Sequence, residues 1–223
     1  MKNIRQPSPL PLRWLLLATL TFATTVTRPD SSAAQEVSPT DETQGAGPSQ
    51  ADFAIGLAAA AIACTRQTVR YDPAYVVIPY PGGDVPADTG VCTDVVIRSY
   101  RQLGIDLQRL VHEDMRAHFS RYPRLWGLKK PDPNIDHRRV PNLQTFFTRH
   151  GTSLKPSDRA ADYLPGDLVA WDLNGRGLWH IGVVIGEDRF VHNIGGGQVA
   201  DSGLFQWKVI GHYRYRPERA ESP

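Results

Sequence analysis

The strongest constraint on the fold is a run of apolar strands with tight turns between them, in the last third of the chain. The segments "GDLVAWDL", "WHIGVVIG" and "FVHNIG" are separated only by "NGRG" and "EDR", and "WKVIGHYRY" closes the run. Short turns of this kind join antiparallel neighbours. Helical patterns occupy the chain before this run, so the order predicts an α+β protein in which N-terminal helices pack on an antiparallel β-sheet.

Four helices are predicted from apolar spacing and from their capping residues. They cover about residues 51–66, which are rich in alanine, residues 91–103, a segment that begins after Asp106 and extends to Phe119, and residues 142–150. Between the last two lies "RYPRLWGLKKPDPNIDHRRVP", residues 121–141, which has no regular pattern. Loops of this length inside a compact domain are usually functional or hide a short element.

The N-terminus has the order of a secretory signal peptide. Basic residues precede an apolar run that starts at Trp14, and small residues lead to Ala34, after which cleavage is predicted. Residues 1–34 are therefore interpreted as a signal peptide, with a retained membrane anchor as the alternative. Residues 35–50 are predicted to be a flexible linker, 51–217 the folded domain and 218–223 a C-terminal tail.

Removal of the leader changes what the charge of the chain implies. The full chain has 25 basic and 23 acidic residues, and without residues 1–34 there are 21 and 22. The mature charge therefore gives no indication of a nucleic-acid partner. We expect an exported protein, periplasmic or extracellular, without stable membrane insertion once the signal is cleaved.

The chain has only two cysteines, and one of them immediately precedes a predicted helix. Cys92 is either a small buried hydrophobe or a nucleophile whose thiolate is favoured by the positive end of that helix. In an oxidising compartment it could also pair with Cys64 in a disulfide.

Two histidines lie inside predicted strands and could serve such a nucleophile. Alternation along "HIGVVI" places His180 on the face opposite Ile181, Val183 and Ile185. A three-residue hairpin loop would make His192 the diagonal neighbour of His180 on the same face, whereas a two-residue loop would place them on opposite faces. The three residues then predict Cys92 as nucleophile, His180 as base and His192 as the residue that orients the base.

Two further roles complete this interpretation. The N–H groups at the start of the Cys92 helix could stabilise an oxyanion, and a hydroxyl from Tyr75 or Tyr80 could assist. The same three side chains, Cys92 and the two histidines, could instead hold zinc, although no zinc-motif spacing supports that alternative. No metal and no cofactor are predicted.

The hairpin resembles that of NlpC-type cell-wall cysteine peptidases of the papain-like superfamily. Those proteins carry Pro-Gly-Asp before a strand, then His-hydrophobic-Gly, then a second polar residue twelve positions later, which Pro165-Gly166-Asp167, His180-Ile181-Gly182 and His192 match. The resemblance implies a papain-like fold and the same three roles. The usual Asp-Cys-Ser-Gly around the nucleophile is replaced by "VCTD", and the loop 121–141 has no counterpart in the short cell-wall enzymes.

A wider similarity covers nearly the whole mature domain. The segments "VRYDPAY", "YPGGDVPADTGVCTDVVIRSYRQLGIDLQ", "PDPNIDHRRVPNL" and "GHYRY" look like the bacterial family known as domain of unknown function 1287, whose substrate the resemblance does not settle. Substrate contacts are predicted for Tyr80, Asp94, Asp136, His137, Arg138 and Arg139. Arg138 or Arg139 would clamp a carboxylate, and the alternative for this loop is a structural role with buried Asp–Arg pairs.

Together these observations predict an exported cysteine hydrolase that cleaves an amide bond, with the peptide stems of peptidoglycan or another amide as substrate. Acyl transfer to an amine would use the same residues. The alternative from another class is a non-catalytic cell-wall binding module of the same fold.

Overall fold

The computed structural model describes residues 49–217. The predicted signal peptide, the predicted linker up to residue 48 and the predicted C-terminal tail lie outside these residues. Four helices come first in the chain: α1 (Gln50–Cys64), α2 (Cys92–Gln102), α3 (Leu107–Ala117) and α4 (Val140–His150). Two short strands, β1 (Arg70–Tyr71) and β2 (Thr89–Gly90), pair in parallel just before α2.

The rest of the chain forms one six-stranded sheet. Its strands are β3 (Thr152–Leu154), β4 (Leu168–Asp172), β5 (Trp179–Gly186), β6 (Arg189–Asn193), β7 (Gln198–Ser202) and β8 (Lys208–Arg214). They lie in the order β3-β8-β4-β5-β6-β7, and every neighbouring pair is antiparallel. The predicted α+β class, with helices packed on an antiparallel sheet, is therefore confirmed. Strands β3 and β7 were not predicted.

Among the residues described, three short 3-10 helices were not predicted, nor were β1 and β2, and α4 begins at Val140, two residues before the predicted start. Helix α3 ends at Ala117, and Phe119 starts a 3-10 turn instead of extending the helix. The patternless loop contains a second such turn, Asp136–Arg138, directly before α4. A third turn, Ala160–Asp162, precedes β4.

Helix α2 has clear signals at both ends. Its N-cap, Val91, has no side-chain acceptor, and the Asp94 carboxylate accepts a hydrogen bond of 2.6 Å from the Val91 N–H instead. At the other end Gly104 adopts a left-handed φ of 77°. The N–H of Gly104 binds the Arg101 carbonyl and that of Ile105 binds the Tyr100 carbonyl, which is the Schellman arrangement. The helix therefore stops where the sequence predicts.

Both faces of the sheet are buried along its central strands β4, β5 and β6. On the helix-bearing face, side chains such as Ala170, Ile181 and Val183 pack with apolar residues of the helices in the larger core cluster. On the opposite face, Trp171 and Phe190 belong to a second cluster with residues of the loops around the sheet. None of the helices within residues 49–217 is long and apolar enough to cross a membrane.

The Pro-Gly-Asp segment fixes the start of β4. A Cβ atom at Gly166 would lie 2.4 Å from the Ala54 carbonyl oxygen of α1, so only glycine allows this approach of helix to strand. The Asp167 carboxylate is buried and accepts hydrogen bonds of 2.6 Å from His212 Nε2 and 2.6 Å from Arg214 Nε. The segment thereby joins β4 to both α1 and β8.

Candidate active site

The two strand histidines lie side by side because of an irregularity in the β5–β6 hairpin. The turn residues Glu187 and Asp188 have φ values of 45° and 63°, and Gly186 pairs with Arg189, as in a two-residue hairpin loop. A bulge between Val184 and Gly186 then shifts the register by one residue.

The bulge gives the register that the predicted three-residue loop would have given. Beyond it Val183 pairs with Val191, which places residue 182 opposite His192 and makes His192 the diagonal neighbour of His180. Both imidazoles therefore lie on one face of the hairpin.

The two imidazoles form a direct hydrogen bond. His180 Nε2 lies 2.8 Å from His192 Nδ1, and the rings meet edge to face with centroids 5.0 Å apart. Both side chains are buried, and Trp171, Phe190 and Trp207 surround them. Because Nε2 of His180 is engaged by His192, the nitrogen that remains for proton exchange with another group is Nδ1.

An acidic residue outside the predicted set influences the outer histidine. Nε2 of His192 is buried without a hydrogen-bond partner, and the closest carboxylate oxygen to it is Asp201 Oδ2, at 3.7 Å. The Asp201 charge favours a proton on this nitrogen. His192 Nδ1 would then accept from Nε2–H of His180, which leaves the Nδ1 lone pair of His180 free to accept a proton.

Cys92 is the first residue of α2, and its thiol contacts the strand that carries His180. The main-chain N–H groups of Ile181, of Thr93 and of Cys92 itself lie near enough to the sulfur to lower its pKa. Ile181 is paired with Ala170 of β4, whereas the pairing of β5 with β6 reaches only to Val183. Helix α2 thus brings its N-terminal thiol to the residue that follows the candidate base.

The sulfur and the imidazoles are not joined by a hydrogen bond anywhere in the described contacts. Cys92 belongs to the core cluster on the helix-bearing face together with Ile181, and His180 projects to the other face. The structure therefore forms the imidazole–imidazole contact and brings the thiol to the adjacent main-chain group. The sulfur–imidazole contact itself stays a prediction.

The charge states of the thiol and of its candidate base follow from burial. Burial, with a smaller contribution from the nearby Asp94 carboxylate, raises the pKa of the Cys92 thiol to about 12, although the N–H groups around the sulfur lower it. Burial, followed by the neighbouring His192, lowers the pKa of His180 to about 3. The Cys92 thiol and the His180 imidazole are therefore both neutral at pH 7, because burial outweighs the helix end.

A cleft of about 360 Å³ opens over Cys92. Its walls come from the segment before α2, from the 121–141 loop and from the start of β5: Tyr71, Pro73, Tyr75, Val91, Cys92, Trp126, Ile135, Arg138, Arg139, Val140, Pro141 and Trp179. Trp126 and Trp179 meet edge to face, with ring centroids 6.2 Å apart. The patternless loop therefore supplies one wall of the cleft.

Tyr71 is a candidate functional residue that the sequence analysis missed. It lines the cleft, and burial, followed by charge at Cys92 and at Asp94, raises the pKa of its hydroxyl, which is a proton donor at neutral pH. Strand β1 pairs Tyr71 with Gly90, two residues before Cys92. A strand of only two residues has no periodicity, so the strand could not be predicted. The tyrosine in "VRYDPAY" was the one sequence signal for a functional residue here.

The two other tyrosines take different positions. Tyr75 lines the cleft, and its hydroxyl donates to Asp132 Oδ2 at 3.0 Å. Tyr80 lies outside the cleft lining, and its ring meets His112 edge to face at 5.1 Å. Tyr80 therefore has no contact with the Cys92 site.

Three residues predicted to contact substrate support the loop instead. Arg138 donates two hydrogen bonds, of 2.9 and 3.0 Å, to the buried Asp94 carboxylate, which is the buried Asp–Arg pair of the structural alternative. Asp136 is fully buried and accepts from the Asp132 N–H at 2.6 Å.

Two members of the predicted set remain. His137 is buried away from the cleft, and burial, followed by the positive charge of Arg138, lowers its pKa to about 3. Arg139 is the member of the set that lines the cleft without a carboxylate partner among residues 49–217.

Two alternatives for Cys92 were a disulfide with Cys64 and a zinc site with His180 and His192. Cys64 and Cys92 are both free and buried, so the possible disulfide is not formed. Within the part of the chain that the structure describes, no three His, Cys, Asp or Glu side chains are grouped so that they could hold a metal ion. The donor set of the zinc alternative is therefore not assembled.

Solved structures with a similar fold include two described as NlpC1 and NlpC2 from Trichomonas vaginalis. NlpC1 has a TM-score of 0.42 and 17% identity, and the match covers 73% of this chain and 44% of that one. NlpC2 has a TM-score of 0.42 and 18% identity, with 78% and 49% covered. The chain thus spans just under half the length of each.

Sequence comparison identifies closer relatives. The chain is 51% identical over 172 residues to "Uncharacterized protein YijF" of Escherichia coli (strain K12), which covers 74% of this chain and 83% of that protein. A family model described as "Domain of unknown function (DUF1287)" matches residues 58–215. The chain belongs to this DUF1287 family.

Proposed function

We propose that the protein is an exported cysteine hydrolase that cleaves an amide bond in the peptide stems of peptidoglycan. One observation carries the proposal. The Cys92 thiol, at the N-terminus of α2 and in the wall of a cleft, lies near the main-chain N–H of Ile181, the residue after His180, whose imidazole is hydrogen-bonded to that of His192. A nucleophile, a base and a group that orients the base are the parts that thiol-dependent acyl transfer requires.

The proposed reaction begins with neutral partners. His180 Nδ1 accepts the thiol proton as the sulfur attacks the amide carbonyl. Because the His180 side chain projects to the opposite face of the sheet, this step requires the start of β5 to shift when substrate fills the cleft, so that Nδ1 reaches the sulfur. The carbonyl oxygen becomes an oxyanion near the first N–H groups of α2 and the Tyr71 hydroxyl. His180 then protonates the leaving amine as the C–N bond breaks and the thioester forms. His180 next deprotonates a water molecule that attacks the thioester, the C–S bond breaks to release the carboxylic acid, and His180 returns the proton to the Cys92 sulfur.

The rest of the proposal rests on the sequence. Export rests on the leader pattern of residues 1–34, and the choice of peptidoglycan rests on that compartment together with the resemblance of the hairpin to cell-wall peptidases. An amine in place of water in the last step would give acyl transfer with the same residues.

The test compares wild type with Cys92→Ala and His180→Gln on purified peptidoglycan, with released fragments identified by mass spectrometry. The proposal expects new amine and carboxyl ends from wild type, and a loss of about a thousandfold or more in both variants. Equal fragments from wild type and Cys92→Ala would contradict catalysis by this cysteine.

The second candidate, a non-catalytic wall-binding module, is favoured by one observation, the absence of a hydrogen bond between Cys92 and either imidazole in the described residues. The binding-module hypothesis predicts that Cys92→Ser binds peptidoglycan as wild type does, and that neither wild type nor the variant releases fragments. Sedimentation of the protein with insoluble peptidoglycan measures this binding.

A further inference from the structure

Two consecutive arginines directly before α4, Arg138 and Arg139, have different surroundings. Arg138 is buried, and its guanidinium is occupied by the bidentate pair with Asp94 and by a hydrogen bond of 3.3 Å to the Ala74 carbonyl. Its charge is neutralised by the protein itself. Arg139 makes no hydrogen bond or ion pair with a carboxylate of residues 49–217, so its charge is left for a ligand.

The Arg139 side chain is nevertheless held in place. Its guanidinium carbon lies 4.4 Å from the ring centroid of Trp126, which is within the range of a cation–π contact. Trp126 in turn meets Trp179, the residue before His180, edge to face. The guanidinium is therefore fixed on an aromatic surface that reaches the candidate catalytic strand.

One donor of this guanidinium has no acceptor. Nη1 of Arg139 is buried and has no hydrogen-bond partner. Burial also lowers the pKa of Arg139, against the charges of Asp136 and Asp132, which are near it but do not bond to it. An unpaired buried donor on a cation is costly, and an anion in the cleft would satisfy it.

Arg139 and Cys92 line the same cleft of about 360 Å³. A ligand that reaches the sulfur therefore occupies the cavity that the Arg139 side chain also lines. Among the other polar groups of the lining, Tyr75 already donates its hydroxyl to Asp132, and Arg138 is paired with Asp94. The free charge in the lining is thus positive and belongs to Arg139.

We propose that Arg139 is a specificity-determining residue that binds a carboxylate of the ligand in the Cys92 cleft, so that the protein acts on acidic peptides. The assignment of this ligand as a substrate rests on the proposed function, and the anion-binding role does not. Arg138 positions the loop and takes no part in binding.

The test uses two small reagents that alkylate Cys92 and differ in charge, iodoacetate and iodoacetamide. The rate at which each reagent alkylates Cys92 in the full chain is measured at pH 8.5 by peptide mapping. The iodoacetate rate is divided by the iodoacetamide rate, and this ratio is normalised to the same ratio for free cysteine in the same buffer. We expect the normalised ratio to fall by about fivefold in Arg139→Gln, because the local cation no longer concentrates the anionic reagent. Arg139→Lys, which keeps the charge, should retain most of the ratio.

Lys130→Gln is the matched control, since it removes one positive charge from the same loop at an exposed position outside the cleft. Its ratio should equal that of wild type. Equal ratios in wild type and Arg139→Gln, or an equal loss in Lys130→Gln, would overturn the proposal. Neither reagent requires turnover, so the result is independent of whether peptidoglycan is cleaved.

The peptide part is tested by binding to the Cys92→Ala variant. The probes are the blocked tripeptides Ala-Glu-Ala and Ala-Gln-Ala, measured by calorimetry. The proposal expects the glutamate peptide to bind about tenfold more tightly and the preference to disappear in Cys92→Ala/Arg139→Gln. Equal affinities for the two peptides, or no binding of either, would overturn the carboxylate assignment.

Discussion

At the residue scale, the candidate nucleophile and the candidate base share one property, which is that burial keeps both uncharged. Cys92 is 5% exposed and His180 is 2% exposed. The pKa of the thiol is about 12 and that of the imidazole about 3, so proton transfer from sulfur to nitrogen is strongly uphill until substrate changes the site. A resting thiolate–imidazolium pair, as helix N-termini often support, is not compatible with these values.

This gives a prediction for alkylation of Cys92 by iodoacetamide. At pH 7 the folded protein should react about a hundredfold more slowly than free cysteine, because the small thiolate fraction outweighs the greater nucleophilicity of a high-pKa sulfur. The rate should rise with pH beyond pH 9, since the pKa of the thiol is about 12. Mass spectrometry of the Cys92 peptide over pH 5–10 measures this.

The same protein unfolded in urea is the control, in which Cys92 should react as an ordinary cysteine. Rapid labelling of the folded protein at pH 5–6 that is lost in His180→Gln would contradict the prediction. It would show that the thiol and the imidazole already form an ion pair.

At the scale of the element, the β5–β6 hairpin depends on a glycine beneath the histidine pair. A Cβ atom at Gly182 would lie 2.7 Å from the Val191 carbonyl oxygen and 3.3 Å from His192 Cβ. The two strands could then no longer keep their separation, and His192 would have to move away from His180. This glycine belongs to the His-Ile-Gly motif, and the contact explains its place there.

We therefore expect Gly182→Ala to lower the free energy of unfolding by about 1–3 kcal/mol, the usual cost of overpacking. Release of peptidoglycan fragments should fall as well, because the imidazole pair is displaced. Urea denaturation followed by tryptophan fluorescence measures the first effect. The control is Gly196→Ala, since a Cβ atom there meets no other atom within 4 Å. Equal stability of the two variants would contradict the argument.

The hairpin also shows what could be predicted from the sequence and what could not. Alternation placed His180 opposite the most apolar face, and the neighbour relation with His192 followed from a loop of three residues. The structure reaches the same register by a two-residue turn with a bulge after Val184, and a bulge has no sequence signal of its own. The edge strands β3 and β7 were missed because three residues and "QVADS" show no apolar alternation.

The loop 121–141 was predictable only as a set of alternatives. Its sequence offered a carboxylate clamp or a buried Asp–Arg pair for Arg138 and Arg139, and nothing in two adjacent arginines says which is buried. In the structure Arg138 donates hydrogen bonds to Asp94, and Arg139 lines the cleft without a carboxylate partner among residues 49–217. The partner lies 44 residues away along the chain, so tertiary packing decides between them.

At the scale of the whole molecule, the fold buries several histidines in their neutral form. Burial lowers the pKa of His137 and of His180 to about 3 from an ordinary value of 6.5, and it also lowers that of His192. In the unfolded chain the same residues bind protons below about pH 6.5. Between pH 6.5 and 3 the unfolded state therefore holds more protons than the folded state. Asp136 acts in the opposite direction between about pH 4 and 6, because burial raises its pKa to about 6.

The net effect is that acid destabilises the protein. We expect the free energy of unfolding to be greatest above pH 6.5 and to fall below it, with a slope of about 1.4 kcal/mol per pH unit for each histidine that stays neutral, reduced by the contribution of Asp136. Urea unfolding at pH 7.5, 6.0 and 5.0 measures this slope. In His180→Gln, whose amide can keep a hydrogen bond to His192, the slope should decrease by about one proton. An unchanged slope in this variant, or a maximum of stability at pH 5, would mean that the His180 imidazole is protonated in the folded protein and cannot act as a neutral base.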